Sequence, residues 1–177
     1  MYVELSFVRA DGSIHRALAF VGIGSPFMVM TADLFKEVQL NQVRPLIFRM
    51  GDLPVSFPAK AVTADPSDPY AIGSDLKVEA MLPAGVMQRY EVVLDYQCRT
   101  LTFASPGTIK PEGTPVPFRM NPQTGLIAVD ALINRKSYPI TIDNGSAYTW
   151  FRQDTVRPGS HRILTGSTAW VRWVQAT

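Results

Sequence analysis

Ile140–Thr141–Ile142–Asp143–Asn144–Gly145–Ser146–Ala147–Tyr148–Thr149–Trp150 is the stretch on which the reading of this chain turns. An apolar, β-branched run ends on a carboxylate, turns through a glycine and resumes as a second apolar run. Ile, Thr, Tyr and Trp favour strands, and Asn–Gly is a strong turn signal. The pattern places Asp143 where a buried strand breaks into a tight turn, a position from which a rigid backbone presents a carboxylate. The plainer reading is a hairpin turn whose Asp caps its own loop.

A second occurrence shifts the balance. Counting back 121 positions (143 − 22) reaches Ala19–Phe20–Val21–Gly22–Ile23–Gly24–Ser25–Pro26–Phe27–Met28–Val29–Met30. Both segments carry an apolar run, Gly–Ser, an aromatic two places after the Ser, and a further apolar run. Each follows a β-hairpin pattern. In the first copy this is Val3–Val8, a turn at Ala10–Ser13, and Ile14–Val21; in the second it is Leu126–Ile133, a turn at Asn134–Lys136, and Tyr138–Ile142. Each precedes a short polar-capped segment, Thr31–Val38 and Arg152–Val156, and Thr31 is placed to cap a helix over Ala32–Val38. A spacing this long suggests two copies of one structural unit, not a solenoid, whose periods are shorter. The copies differ at the acid, for Gly22 stands where Asp143 stands.

Composition narrows the classes. The 177 residues are 46% hydrophobic and 18% charged, enough for a folded chain with a substantial core. A net charge of +2 with scattered Lys and Arg gives no case for nucleic acid. No apolar run reaches the length of a membrane span, and Met1–Phe7 lacks the basic start and apolar core of a signal peptide, so the default compartment is cytoplasmic. Cys98 is the single cysteine, set in a turn and read as incidental. His15 and His161 are isolated and read as surface residues; no Cys/His cluster has metal-site spacing, so no metal and no cofactor is expected.

In order along the chain the pattern is strand and turn. Pro45–Met50 and Leu53–Phe57 flank Gly51–Asp52 and read as a β-hairpin. It is either an ordinary surface hairpin or a flap that closes over a bound peptide, and the residues leave both open. Ala64–Pro69 reads as loop, because two prolines oppose regular pairing. Pro83 opens a short helix through Arg89, and Tyr90–Tyr96 with Thr100–Phe103 form a further hairpin. These readings divide the chain into a first unit at 1–105, a Pro/Gly-rich connector at 106–115 and a shorter second unit at 116–177.

Residues 1–105 resemble a retropepsin-type unit of the kind found in retroviral and bacterial single-lobe aspartic peptidases. The features that carry the likeness are the hairpin into Gly22–Ile23–Gly24–Ser25, the hairpin around Gly51–Asp52, Ala71–Ile72–Gly73–Ser74–Asp75–Leu76, and Tyr90–Tyr96 with Leu101–Phe103. Asp143–Asn144–Gly145–Ser146 is similar to the family's active-site loop, with Asn144 in the hydroxyl position. The resemblance implies a mostly β, closed retropepsin-like fold, one full lobe plus a partial second repeat. It implies a site at Asp143, Asn144, Gly145 and Ser146, with Gly22, Ile23, Gly24 and Ser25 as its degenerate mate. Substrate contacts would come from Gly51, Asp52, Ile72 and Gly73.

The family hydrolyses peptide bonds with two carboxylates that share one proton. Here only Asp143 is present, and Asp75 and Asp95 lie in the wrong motifs to replace the other. The expected protein is therefore weak or inactive as a monomer. Three functions follow: a hydrolase completed by a homodimer that brings Asp143 to Asp143 across a twofold axis, a non-catalytic module that holds a peptide or protein segment in the cleft, or a piece of a longer two-lobe protein.

Overall fold

The computed structural model describes residues 1–41, 43–65, 76–110, 113–133 and 135–145, with the backbone of 171–173. Apolar residues at every second position make the first hairpin. In β1 (Tyr2–Val8), Leu5 and Phe7 point inward, and in β2 (Ile14–Gly22), Ala17, Ala19 and Val21 do the same; all five are fully buried. β3 (Met28–Thr31) leads into α1 (Ala32–Glu37), whose first turn is capped by Thr31 Oγ1 accepting from the Leu34 N–H. β4 (Leu46–Met50) and β5 (Leu53–Phe57) close through Gly51, whose φ of +54° is one that L side chains rarely adopt.

A 3₁₀ turn at Ala59–Ala61 precedes β6 (Val62–Asp65). Ala64 and Asp65, expected in a loop, instead pair with Met30 and Thr31 at the end of an edge strand, and the rest of that expected loop, 66–69, lies outside the described residues. β7 (Val78–Pro83) runs into α2 (Ala84–Met87), which is shorter than the helix expected from Pro83 to Arg89. β8 (Glu91–Asp95) and β9 (Thr100–Ala104) form the next hairpin, and β10 (Phe118–Met120), β11 (Ile127–Ile133) and β12 (Lys136–Thr141) form a three-stranded antiparallel sheet. The backbone of β13 (Val171–Trp173) pairs with β8.

The fold is mostly β with a mixed main sheet. Seven strands lie in the order β5-β4-β1-β2-β7-β3-β6, with β7 parallel to β2 and antiparallel to β3. Sequence patterning did not mark β7 as a strand, although it sits between β2 and β3. Its residues Val78, Ala80 and Leu82 are buried, but so is Glu79, and Pro83 ends it. An acid and a proline conceal the alternation. Glu79 tolerates burial because its carboxylate is paired, with Lys77 Nζ at 2.7 Å and His15 Nε2 at 3.2 Å. His15 is thus not the surface residue expected. Its side chain is 11% exposed and lies between Glu79 and Glu37, whose carboxylate is 2.8 Å from Nδ1.

The connector is anchored by a second buried acid. Glu91 accepts the Gly107 N–H at 2.9 Å and the Ile109 N–H at 2.7 Å, which satisfies a carboxylate that is 3% exposed. The β10–β12 sheet packs on the main core through Ile127 and through the turn between β10 and β11. Gly125 in that turn has φ of +75° and lies against Ala84; a Cβ there would sit 2.6 Å from the Ala84 carbonyl oxygen. Only glycine permits this approach. No described helix is long and apolar enough to cross a membrane.

Candidate functional site

Two strand ends meet. β2 delivers Gly22–Ser25 as a tight turn in which the Ser25 N–H donates to the Gly22 carbonyl at 3.2 Å. β12 delivers Asp143–Gly145, after Ile142 is tied back to the Ile127 carbonyl at 3.0 Å. Asn144 joins them. Its Oδ1 accepts the Ile23 N–H at 3.0 Å, and its Nδ2 donates to the Val21 carbonyl at 2.7 Å. Ile23 is the residue 121 positions before Asn144, with which it aligns in the sequence. The grip is one-sided, because Ile23 has no polar side chain to return it and is itself buried.

Asp143 is exposed, and its Oδ1 accepts the Gly145 N–H at 2.8 Å. Its side chain lies so close to Gly24 that any Cβ at 24 would overlap it. Gly145 is also confined: a Cβ there would meet a Phe20 ring carbon and Asp143 Oδ1, each at 3.2 Å. The acid therefore rests on a floor of glycine backbone from both loops. At Gly22 the space for a side chain is taken by Met81, since a Cβ would lie 2.6 Å from the Met81 sulfur.

The structure brings together Gly22, Ile23, Gly24, Asp143, Asn144 and Gly145. Gly51 and Asp52 lie at the tip of the β4–β5 hairpin on the sheet's outer edge, where Arg49 Nη2 donates to the Asp52 carbonyl at 2.7 Å. Ile72, Gly73, Asp75 and Ser146 lie outside the described residues, as does Arg152–Val156. Among the described residues, the strand beside the first loop is the end of β7: Phe20, Val21 and Gly22 pair with Met81, Leu82 and Pro83, and the Ala84 N–H donates to the Ser25 carbonyl at 3.0 Å. Sequence reasoning missed Met81 and Leu82 as neighbours of the loop, and read Pro83 only as the start of a helix. Their signal was an apolar pair, Met81–Leu82, followed at once by a helix start.

The chemistry available is that of one carboxylate. Val21–Ser25 offers no acid, so Asp143 has no partner on the facing loop with which to share a proton. Among the described residues no cluster of three or more His, Cys, Asp or Glu is placed to hold a metal ion. Cys98 is exposed, and hydrogen bonding to Asp95 raises its thiol pKa, which keeps it a poor nucleophile. Asp95 itself caps the turn by accepting the Cys98 N–H at 2.7 Å, a structural role. Compared with protein-family models, curated proteins and solved structures, the chain matches none.

Proposed function

We propose that this chain is an aspartic-peptidase-like protein of the retropepsin type that does not hydrolyse peptide bonds, alone or self-associated, and keeps its loops as part of a peptide-binding cleft. The observation that carries the reading is the Asn144 bridge. In the family that the sequence resembles, a loop hydroxyl at this position ties the two active loops together; here one side-chain amide, donor and acceptor at once, ties Val21 and Ile23 to the acid-bearing loop. The loss of catalysis follows from chemistry. Cleavage by such a dyad needs an ionised acid to activate water and a protonated one to polarise the scissile carbonyl. Gly22 can do neither, and Met81 fills the place of its side chain.

The test is incubation of the monomer with an unfolded protein substrate at acid pH, beside Asp143→Asn. Equal, background-level cleavage by both is the expected result. Cleavage by the unaltered monomer that Asp143→Asn abolishes would contradict the proposal.

A further inference from the structure

We infer that the hollow between the β4–β5 hairpin and α2 binds a carboxylate carrying an apolar group, most simply the C-terminal residue of a peptide, with its side chain in the hollow and its α-carboxylate on Arg89. The hollow measures about 230 Å³. That is room for one large side chain, not for an extended chain. Val55, Phe57 and Pro58 form one wall, and Val86 and Tyr90 the other, with Pro26 from the exit of the first loop. Protein interiors leave few voids larger than a water molecule, and an unfilled apolar wall forfeits its dispersion contacts. The apolar seam between the two units, lined by Ile23, Met87 and Ile127, obeys that rule, with a gap of only about 20 Å³. The larger hollow opens to solvent: Val55, Phe57 and Val86 are its buried floor, and Pro54, Pro58 and Tyr90 give it an accessible apolar face.

Its rim is polar and carries one formal charge. Ser56, Gln88 and Gln123 offer neutral hydrogen-bonding groups, and Arg89 the cation. Among the described residues no Asp or Glu lines the hollow, and none is paired with that guanidinium. The neighbouring acid, Glu91, is buried and turned to the Gly107 and Ile109 N–H groups. Arginine's planar fork matches a carboxylate in bidentate geometry, which selects an anionic head over a neutral amide. Gln88 and Tyr90 line both this hollow and the seam, so an occupant also braces the junction with the second unit. The inference requires neither Asp143 nor cleavage and stands apart from the peptidase-like reading.

The experiment titrates the full chain with N-acetyl-phenylalanine, with its carboxamide, and with a short peptide ending in phenylalanine as free acid or amide. Calorimetry gives affinity and amide shifts at Val55, Gln88 and Gln123 give location. Both acids should bind, with the peptide acid at least as tight, and each amide about tenfold or more weaker, the worth of one charge-assisted hydrogen bond. Arg89→Gln should weaken the acids by a similar factor without moving the melting temperature, and Ser56→Trp, at an exposed position lining the hollow, should obstruct it and abolish binding while leaving the core untouched. Tighter binding of the free amino acid than of the peptide would overturn the peptide terminus as occupant. Equal binding of acid and amide, indifference to Arg89→Gln, or shifts located elsewhere would overturn the site.

Discussion

Asn144 holds the backbone of Ile23, 121 positions earlier, and through the Val21 carbonyl it spans Gly22, the residue that aligns with Asp143. One residue thus joins the two loops without help from the other side. Asn144→Ala should leave a half-buried N–H and C=O unpaired and cost about 1–3 kcal/mol, read as a lower midpoint in denaturant. Asn144→Asp sharpens the test. A carboxylate still accepts from Ile23 but opposes the Val21 carbonyl unless it is protonated, so folding raises the pKa of that carboxyl. The sign follows: the variant is closest to the unaltered protein at acid pH and loses stability as pH rises through the unfolded and then the folded pKa. A pH series of melting curves on both proteins checks this.

The Asp143 side chain and Gly24 are coupled by contact. Gly24→Ala should destabilise the chain by about 1–3 kcal/mol, because its Cβ overlaps that side chain. Asp143→Gly should relieve most of the cost, so the double variant is more stable than the sum of the two single effects allows. A double-mutant cycle by denaturant unfolding gives the coupling directly.

Gly22 and Met81 form a second such pair. Gly22→Asp puts a Cβ 2.6 Å from the Met81 sulfur, so the flexible thioether must move. The substitution should destabilise by about 1–3 kcal/mol. In the background of Met81→Ala its added cost should fall, and equal costs in the two backgrounds would show that Met81 does not occupy that space.

Acid should loosen two surface ties. Arg119 donates to both oxygens of Asp130, at 2.8 and 2.6 Å, across β10 and β11. The hydrogen bond from Arg119 lowers the Asp130 pKa, and that from Arg9 lowers the pKa of Glu37. Each carboxyl has a folded pKa below its unfolded one, so its contribution is present above the unfolded value and is lost as pH falls through the folded value. Arg119→Gln should therefore flatten the acid limb of the stability curve, by an amount that shrinks with added salt.

How far the fold was legible follows from how local its signals are. The β1–β2, β4–β5, β8–β9 and β11–β12 hairpins are nearest-neighbour pairings with period-two burial and turn residues between, and each was readable. β7 was not, because it pairs in parallel with a strand far away in sequence, and its buried acid is held both by Lys77 two positions before it and by His15, 64 positions earlier. The likeness of the Val21–Ser25 and Asp143–Gly145 segments was visible in the sequence, with Gly22 at the place of Asp143. That the Asn144 amide reaches both Val21 and Ile23 was not, since side-chain reach across 121 positions depends on the packing of both units. Arg89 carried no signal at all: an exposed arginine after a short helix looks the same whether or not a hollow lies beside it.

The most direct measurement of the central claim is cleavage of an unfolded protein substrate at acid pH over a wide range of protein concentration, with sedimentation at each point and Asp143→Asn in parallel. A peptidase completed by self-association gains specific activity steeply as it assembles. The single-acid account predicts a flat, background-level trace that is the same for both proteins. Specific activity that climbs with concentration and vanishes in Asp143→Asn would contradict it and show that two copies of Asp143 complete the site.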